Sequence, residues 1–221
     1  MNLADFQKES KKAHLGIGQE FGCILSLVDF GNVDYWYEKD CRDSDGNELD
    51  SNQKLNVDIE KLFYFCNIFS VKSKFYYGID QKRKKSIHII RLARDNFGKT
   101  NAITKHIQYI RHYLSELEEW INTRSITYDA QGKFVLLPKC NFDVEICIDA
   151  IRLMDEYNTL CLFSSDADFI SLFRFLKNKG KKIILIKGGY AQTQLIQQAD
   201  LVIQAQDIKP DLTVIKQKSR Q

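Results

Sequence analysis

Four aspartates on three separated stretches have the residue type and placement to do chemistry together: Asp29, Asp143, Asp166 and Asp168. Asp29 closes the apolar run that starts at Cys23, Asp143 stands at the start of a helical pattern, and Asp166 and Asp168 follow the apolar residues Leu160 to Phe163. Carboxylates gathered at one point repel and raise one another's pKa, so such a group is costly unless a cation neutralises it. An all-oxygen donor set suits a hard divalent ion, Mg²⁺ or Mn²⁺. An ion held there would polarise an oxygen of a bound substrate and lower the pKa of a bound water. The 4 histidines, at 14, 88, 106 and 112, show no paired arrangement that would replace it by acid–base chemistry.

The elements around these residues decide whether they can meet. Leu160 to Phe163 is a short continuous apolar run, the mark of a strand buried on both faces. Two serines and two aspartates come next, and then Phe169, Leu172, Phe173 and Leu176 repeat at helical spacing. One of Ser164, Ser165 or Asp166 would serve as a helix cap, which leaves Asp168 unaccounted for. A strand, turn and helix of this kind put the turn at the carboxyl edge of a parallel sheet, where open α/β folds bind ligands. In a right-handed crossover the helix before that strand begins at the same edge. Asp143 is therefore expected on the rim with Asp29, Asp166 and Asp168, with Asn141 as N-cap of its helix. Asn32 suits a hydrogen bond to phosphate or to a metal-bound water, and equally a turn after Gly31. Asp149 lies about 9 Å further along the helix from Asp143. It is expected, with Ser164, to support the ligands rather than touch the ion. Lys139 fits either a phosphate contact or a plain surface lysine.

The 221 residues, 44% hydrophobic and 12% aromatic, are enough for one large α/β domain with a substantial core. No apolar run reaches the ~18 residues of a membrane span. Met1 to Leu15 carries acids and lysines without an apolar centre, so no signal peptide is expected. The 6 cysteines form no Cys-x-x-Cys pair and suit a reducing cytoplasm. The glycines at 16, 18 and 22 precede the first strand with the wrong spacing for a dinucleotide site, and there is no Walker A sequence. The net charge of +3 is unevenly spread. Residues 34–60 are acidic, whereas 82–111 carry Lys82, Arg83, Lys84, Lys85, Arg91, Arg94, Lys99, Lys105 and Arg111 against Asp95 alone. That basic stretch suits a nucleic-acid backbone or a solvated helix face.

Along the chain, residues 4–20 read as a short helix, and 38–56 as a polar loop beside the site. Helices are expected at 57–69, 87–97 and 112–122, the last carrying Trp120 and Ile121. Strands are expected at 75–79, 103–110, 181–187 and 201–203, with a hairpin at 125–137 turning around Gly132. The tail beyond Pro210 is expected to fray. Residues 1–22 read as a helical extension, 23–208 as the domain and 209–221 as a basic tail. Strands alternating with helices predict a three-layer α/β/α sandwich around a mostly parallel sheet.

Three stretches, VDFGN, KCNFDVEICIDAIRL and LFSSDADFISLFRFLKNKGKKIILI, together resemble the NYN domain of the PIN-like nuclease superfamily, most closely its LabA-like branch. The matching residues are Asp29, Asn32, Lys139, Asp143, Ser164, Asp166, Asp168 and Phe169, with Asp149 as a further acid. Thr193, Leu195 and Asp200 match a weaker C-terminal pattern. Two positions depart: Cys140 and Ser165 stand where the family usually has glycine, and one extra residue precedes Asp143. The resemblance implies a PIN-like, Rossmann-like strand order and a Mg²⁺- or Mn²⁺-dependent ribonuclease whose catalytic set is Asp29, Asn32, Asp143, Asp166 and Asp168. Lys139 and the run Lys82, Arg83, Lys84 and Lys85 would bind RNA. The implied partner is RNA; the residues are compatible with either a monomer or a homo-oligomer, and their pattern offers neither a membrane span nor a nucleotide-cofactor site. Two other classes fit the residues: an RNA-binding regulatory module of the same fold, or an Asp-dependent phosphatase. The first would follow from a lost acid, and none is lost. The second would want Asp-x-Asp after the first strand, where Gly31 stands.

Overall fold

The structure, a computed structural model, describes residues 3–81, 83–115 and 126–218. In chain order the helices are α1 (Leu3–His14), α2 (Phe30–Val33), α3 (Ile59–Phe69), α4 (Lys84–Phe97), α5 (Asp143–Arg152), α6 (Ile170–Asn178), α7 (Thr193–Gln198) and α8 (Lys209–Leu212). The strands are β1 (Ile24–Asp29), β2 (Gln53–Val57), β3 (Lys72–Ile79), β4 (Ala102–His106), β5 (Gln108–Tyr113), β6 (Thr127–Asp129), β7 (Gly132–Lys139), β8 (Thr159–Phe163), β9 (Lys182–Lys187), β10 (Leu201–Gln204) and β11 (Thr213–Gln217). Six strands form one parallel sheet in the order β10-β9-β8-β1-β3-β4.

Side chains alternate across this sheet, and each face is covered by helices. Ile24 and Val28 point into the cluster that holds Leu62 and Phe65 of α3 and Ala93 of α4. Leu25 and Leu27 point the other way, onto Ile146 of α5, Leu172 of α6 and Leu195 of α7. The central strands β1 and β8 are buried on both sides, which is why they read as continuous apolar runs. The result is the expected three-layer α/β/α sandwich. The chain runs outward from β1 through β3 to β4, then returns to β8 and continues through β9 to β10. The strand order therefore reverses between β1 and β8, and a crevice opens at their carboxyl ends.

Four expectations need correction. The polar loop contains β2, and the tail does not fray: β2 and β11 pair antiparallel, Gln53 opposite Gln217. The loop is tied to the residues after β10, with Asp40 bound to Lys209 at 2.6 Å and to Gln206, rather than to the acids. The exposed strand expected at 103–110 is two strands, parallel β4 and antiparallel β5, and β5 joins β7 and β6 in a separate sheet. His112 and Tyr113 end β5 rather than starting a helix; Leu117, Trp120 and Ile121 of that expected helix lie outside the described residues, as does Lys82. No helix among the described residues is long and apolar enough to cross a membrane.

Candidate metal centre

Asp29 ends β1 opposite Tyr76 of β3. Val28 is registered with Phe163, and Phe163 with Ile186, so Asp29, Ser164 and Lys187 lie in one row on the α5 and α6 face. Ser164 is fully buried; its hydroxyl donates to Asp29 Oδ2 at 3.1 Å and accepts from the Asp166 N–H at 3.2 Å. Asp166 in turn caps the short turn that begins α6, accepting from the Asp168 N–H at 3.0 Å. The cap and the candidate ligand are thus the same residue, which frees Asp168 for the crevice.

From the other side, α5 brings in Asp143. Carboxylate oxygens of Asp143, Asp166 and Asp168 all lie within 4.8 Å of one another. Asp29 stands just behind this group and is not one of the three. It is nonetheless coupled to it: burial pushes the Asp29 carboxyl up to about 6, opposed by the Ser164 hydrogen bond. Asp143 pushes it further up, the Asn32 N–H opposes, and Asp166 adds to the rise. The Asp143 carboxyl is also raised, first by burial, then by Asp166 and Asp168, with Lys105 opposing. Among the described residues no lysine or arginine forms an ion pair with Asp143, Asp166 or Asp168. Three carboxylates without an ion-paired base, one of them raised by burial and by the other two, offer oxygen donors only and fit a hard divalent cation.

The remaining residues frame this group. Asn32 Oδ1 accepts from Trp36 Nε1 at 2.9 Å and from the Ser165 N–H at 3.2 Å, so its carbonyl joins α2 to the loop after β8. Ser165 Oγ donates to the Gly188 carbonyl at 2.7 Å. A Cβ on Gly188 would come within 2.4 Å of the Trp36 ring, so only glycine admits that ring beside the loop. Asp149 accepts from Lys74 Nζ and from the Tyr76 hydroxyl, both at 2.6 Å, and pins α5 to β3. Asn141 does not cap α5. Phe142 holds the cap position, and Asn141 Nδ2 donates to Asp143 Oδ2 at 2.8 Å instead. Asp200 accepts from the Ile183 N–H and from Lys177, at the start of β9 and far from the acids in the sheet. Lys139 ends β7, exposed and outside the acid group.

The basic run is divided by the fold. Arg83 and Lys85 line a cleft beside the acids, paired with Asp80 and Asp34, whereas Lys84 is exposed at the start of α4. Lys105, not singled out in the sequence, lies closest in effect. Its ammonium binds Glu145 at 2.6 Å and the Asn141 carbonyl at 3.1 Å, bracketing the first turn of α5. Trp36 was also missed, though an Asn and a Trp four residues apart on one helical turn are neighbours by geometry.

The family described as NYN domain matches residues 44–206, a range that holds Asp143, Asp166 and Asp168 and leaves out Asp29 and Asn32. No curated protein matches the chain. A crystal structure of a protein of unknown function from Vibrio parahaemolyticus is similar, with a TM-score of 0.55 at 20% identity, covering 89% of this chain and 99% of that one. At that identity the likeness concerns the fold.

Proposed function

Since the chain belongs to the NYN domain family, with its PIN-like nuclease fold, we propose that it is a Mg²⁺- or Mn²⁺-dependent ribonuclease hydrolysing RNA phosphodiester bonds at the acid group. One observation carries this reading: three carboxylates share 4.8 Å without a neutralising side chain among the described residues. Asp143, Asp166 and Asp168 would hold the ion, with Asp29 behind them. When bound, the ion supplies charge neutralisation at a phosphate oxygen and a lowered pKa for a bound water.

The chain's own residues do the rest. Ser164 fixes the Asp29 carboxylate and, through the Asp166 N–H, the turn that presents Asp166. Asn32 holds the backbone at Ser165, and so acts on substrate by keeping the ligand loop in place. Lys74 and Tyr76 hold Asp149, which ties the second turn of α5 to β3 and so fixes the helix that carries Asp143. Arg83, Lys85 and Lys139 are exposed cations that would draw the RNA backbone to the rim.

The test is cleavage of mixed RNA, DNA and small phosphoesters with Mg²⁺, Mn²⁺ or EDTA, for the wild-type protein and Asp166→Asn. RNA cleavage that needs the ion and is lost by a factor of about 10² or more in the variant is expected. Activity surviving chelation, or an unimpaired Asp166→Asn protein, would remove the acid group from the chemistry.

A further inference from the structure

Beside the acids a cleft of about 300 Å³ is lined by Gly31, Tyr35, Tyr77, Arg83, Lys85 and Cys140, among others. That is the low end of the volume range for small-molecule sites. One end is marked by Gly31, where a Cβ would sit 3.4 Å from Asp29 Oδ1. Asp29 also pushes up the Cys140 thiol, after burial and alongside Glu145, with Lys105 opposing. Its outer end carries the side chains of Arg83 and Lys85, 72% and 56% exposed. Their partners are Asp80 at 3.1 Å and Asp34 at 3.0 Å. Asp80 and Asp34 are 5% and 12% exposed and line the cleft too, so each cation is held by a mostly buried carboxylate, and a phosphate would join these pairs rather than replace them.

Between the two ends the wall is aromatic. Tyr77 is held edge-on to Phe30 at 5.5 Å and tilted to Phe75 at 6.4 Å, which leaves it little freedom. Tyr35 is 64% exposed and free to lie against a ligand. A cleft that begins beside Asp29 and brings together two tyrosines and two ion-paired cations has the groups that a nucleotide needs. The nucleotide's base lies in the cleft and its two phosphates at the ends. The Asp34 and Asp80 carboxylates already bind Lys85, Arg83 and Tyr109, so recognition runs through stacking, which tolerates any base and favours the larger face of a purine.

We propose that this cleft is a subsite for the nucleotide flanking the scissile phosphodiester. Its base rests against Tyr35 and Tyr77, and its far phosphate on Arg83 and Lys85. The inference rests on the acid group being an RNA phosphate site, and its test does not depend on turnover. The probe is the 3′,5′-bisphosphate of 2-aminopurine riboside, which has a phosphate on each side and no phosphodiester to hydrolyse. Titrated in Mg²⁺, its fluorescence should be quenched saturably by the wild-type protein. Tyr35→Ala, an exposed truncation that spares the core, should weaken binding about tenfold, and Arg83→Gln with Lys85→Gln by a similar factor. Tyr190→Ala, 84% exposed in the loop after β9, should leave it unchanged. Absent quenching, equal affinity in Tyr35→Ala, or an equal loss in Tyr190→Ala would overturn the subsite. RNA cleavage without quenching would sink the subsite alone. Quenching that follows the expected pattern in a protein that cleaves no RNA would uphold a nucleotide site and sink the ribonuclease reading.

Discussion

Replacing Asp29 with asparagine should make the metal-free protein more stable at neutral pH. The folded carboxyl is pushed from 3.8 up to about 6, chiefly by burial, a rise worth ~3 kcal/mol. The sign follows from linkage. The folded chain holds a proton that the unfolded chain has already released, so the associated stability is fully present below about pH 4 and is lost as pH rises through about 6. At pH 7.5 the ionised Asp29 therefore costs the fold most of that ~3 kcal/mol. The asparagine side chain is neutral at every pH, and its carbonyl can still accept from the Ser164 hydroxyl. Its neutral amide gains less than the carboxylate from the nearby Asn32 N–H, which returns about 1 kcal/mol. A net gain of ~1–2 kcal/mol is expected, or ~2–8 °C in Tm for a chain of this size. Thermal unfolding followed by circular dichroism in EDTA from pH 4 to 8, for both proteins, reads it directly. The gain should vanish toward pH 4, and adding Mn²⁺ should stabilise the wild-type protein more than the variant. No gain at pH 7.5, or the same gain at pH 4, would refute the account of a desolvated, repelled carboxylate.

Two further outcomes test the frame around the acids. Lys74→Met leaves Asp149 with only the Tyr76 hydroxyl at a side chain 16% exposed. It should cost ~2–3 kcal/mol in denaturant unfolding, somewhat less than for a fully buried pair, while Lys74→Met with Asp149→Leu recovers much of the loss. Gly188→Ala drives a methyl to within 2.4 Å of a Trp36 ring that is stacked on Phe163 and hydrogen-bonded to Asn32. It should cost ~1–3 kcal/mol, change the tryptophan emission and lower RNA cleavage; a variant as stable and active as wild type would show that this ring does not fix the loop.

What the sequence made legible is what local pattern encodes. The runs at β1, β8 and β9 announce themselves because strands buried on both faces are apolar at every position. The acids could be placed on one rim because crossover handedness fixes which end of a helix faces which edge. The pairing of β2 with β11 was hidden because its partners, 53–57 and 213–217, are far apart in the chain and neither strand is apolar throughout. Asn141 has the residue type of an N-cap, but α5 starts one residue too late for it: Phe142 holds the cap position, and the Asn141 amide donates to Asp143 instead. Lys105 was one base among many until the fold set it against Glu145. The offset of Asp29 from the other three acids is likewise a matter of ångströms, set by the row of Tyr76, Asp29 and Ser164 across the sheet and not by spacing along the chain.

The two positions where the chain departs from the family pattern show what such a site requires. Ser165, in place of a glycine, turns its hydroxyl to the Gly188 carbonyl and its N–H to Asn32. The loop that carries Asp166 and Asp168 is thereby fastened to two neighbouring segments; the N–H bond needs only backbone, and the hydroxyl bond to Gly188 is the restraint a glycine could not supply. Cys140, in place of the other glycine, needs room for its thiol, and the facing residue of β3 is Gly78. A Cβ there would meet the Cys140 side chain at 3.0 Å. The atoms of the Cys140 side chain are accommodated by the absence of a side chain at Gly78. In both places a side chain stands where the family has glycine, and its room or its partner is found in a neighbouring strand or loop. A hard ion senses position through charge and distance, so what these side chains contribute to the crevice is the placement of its candidate ligands.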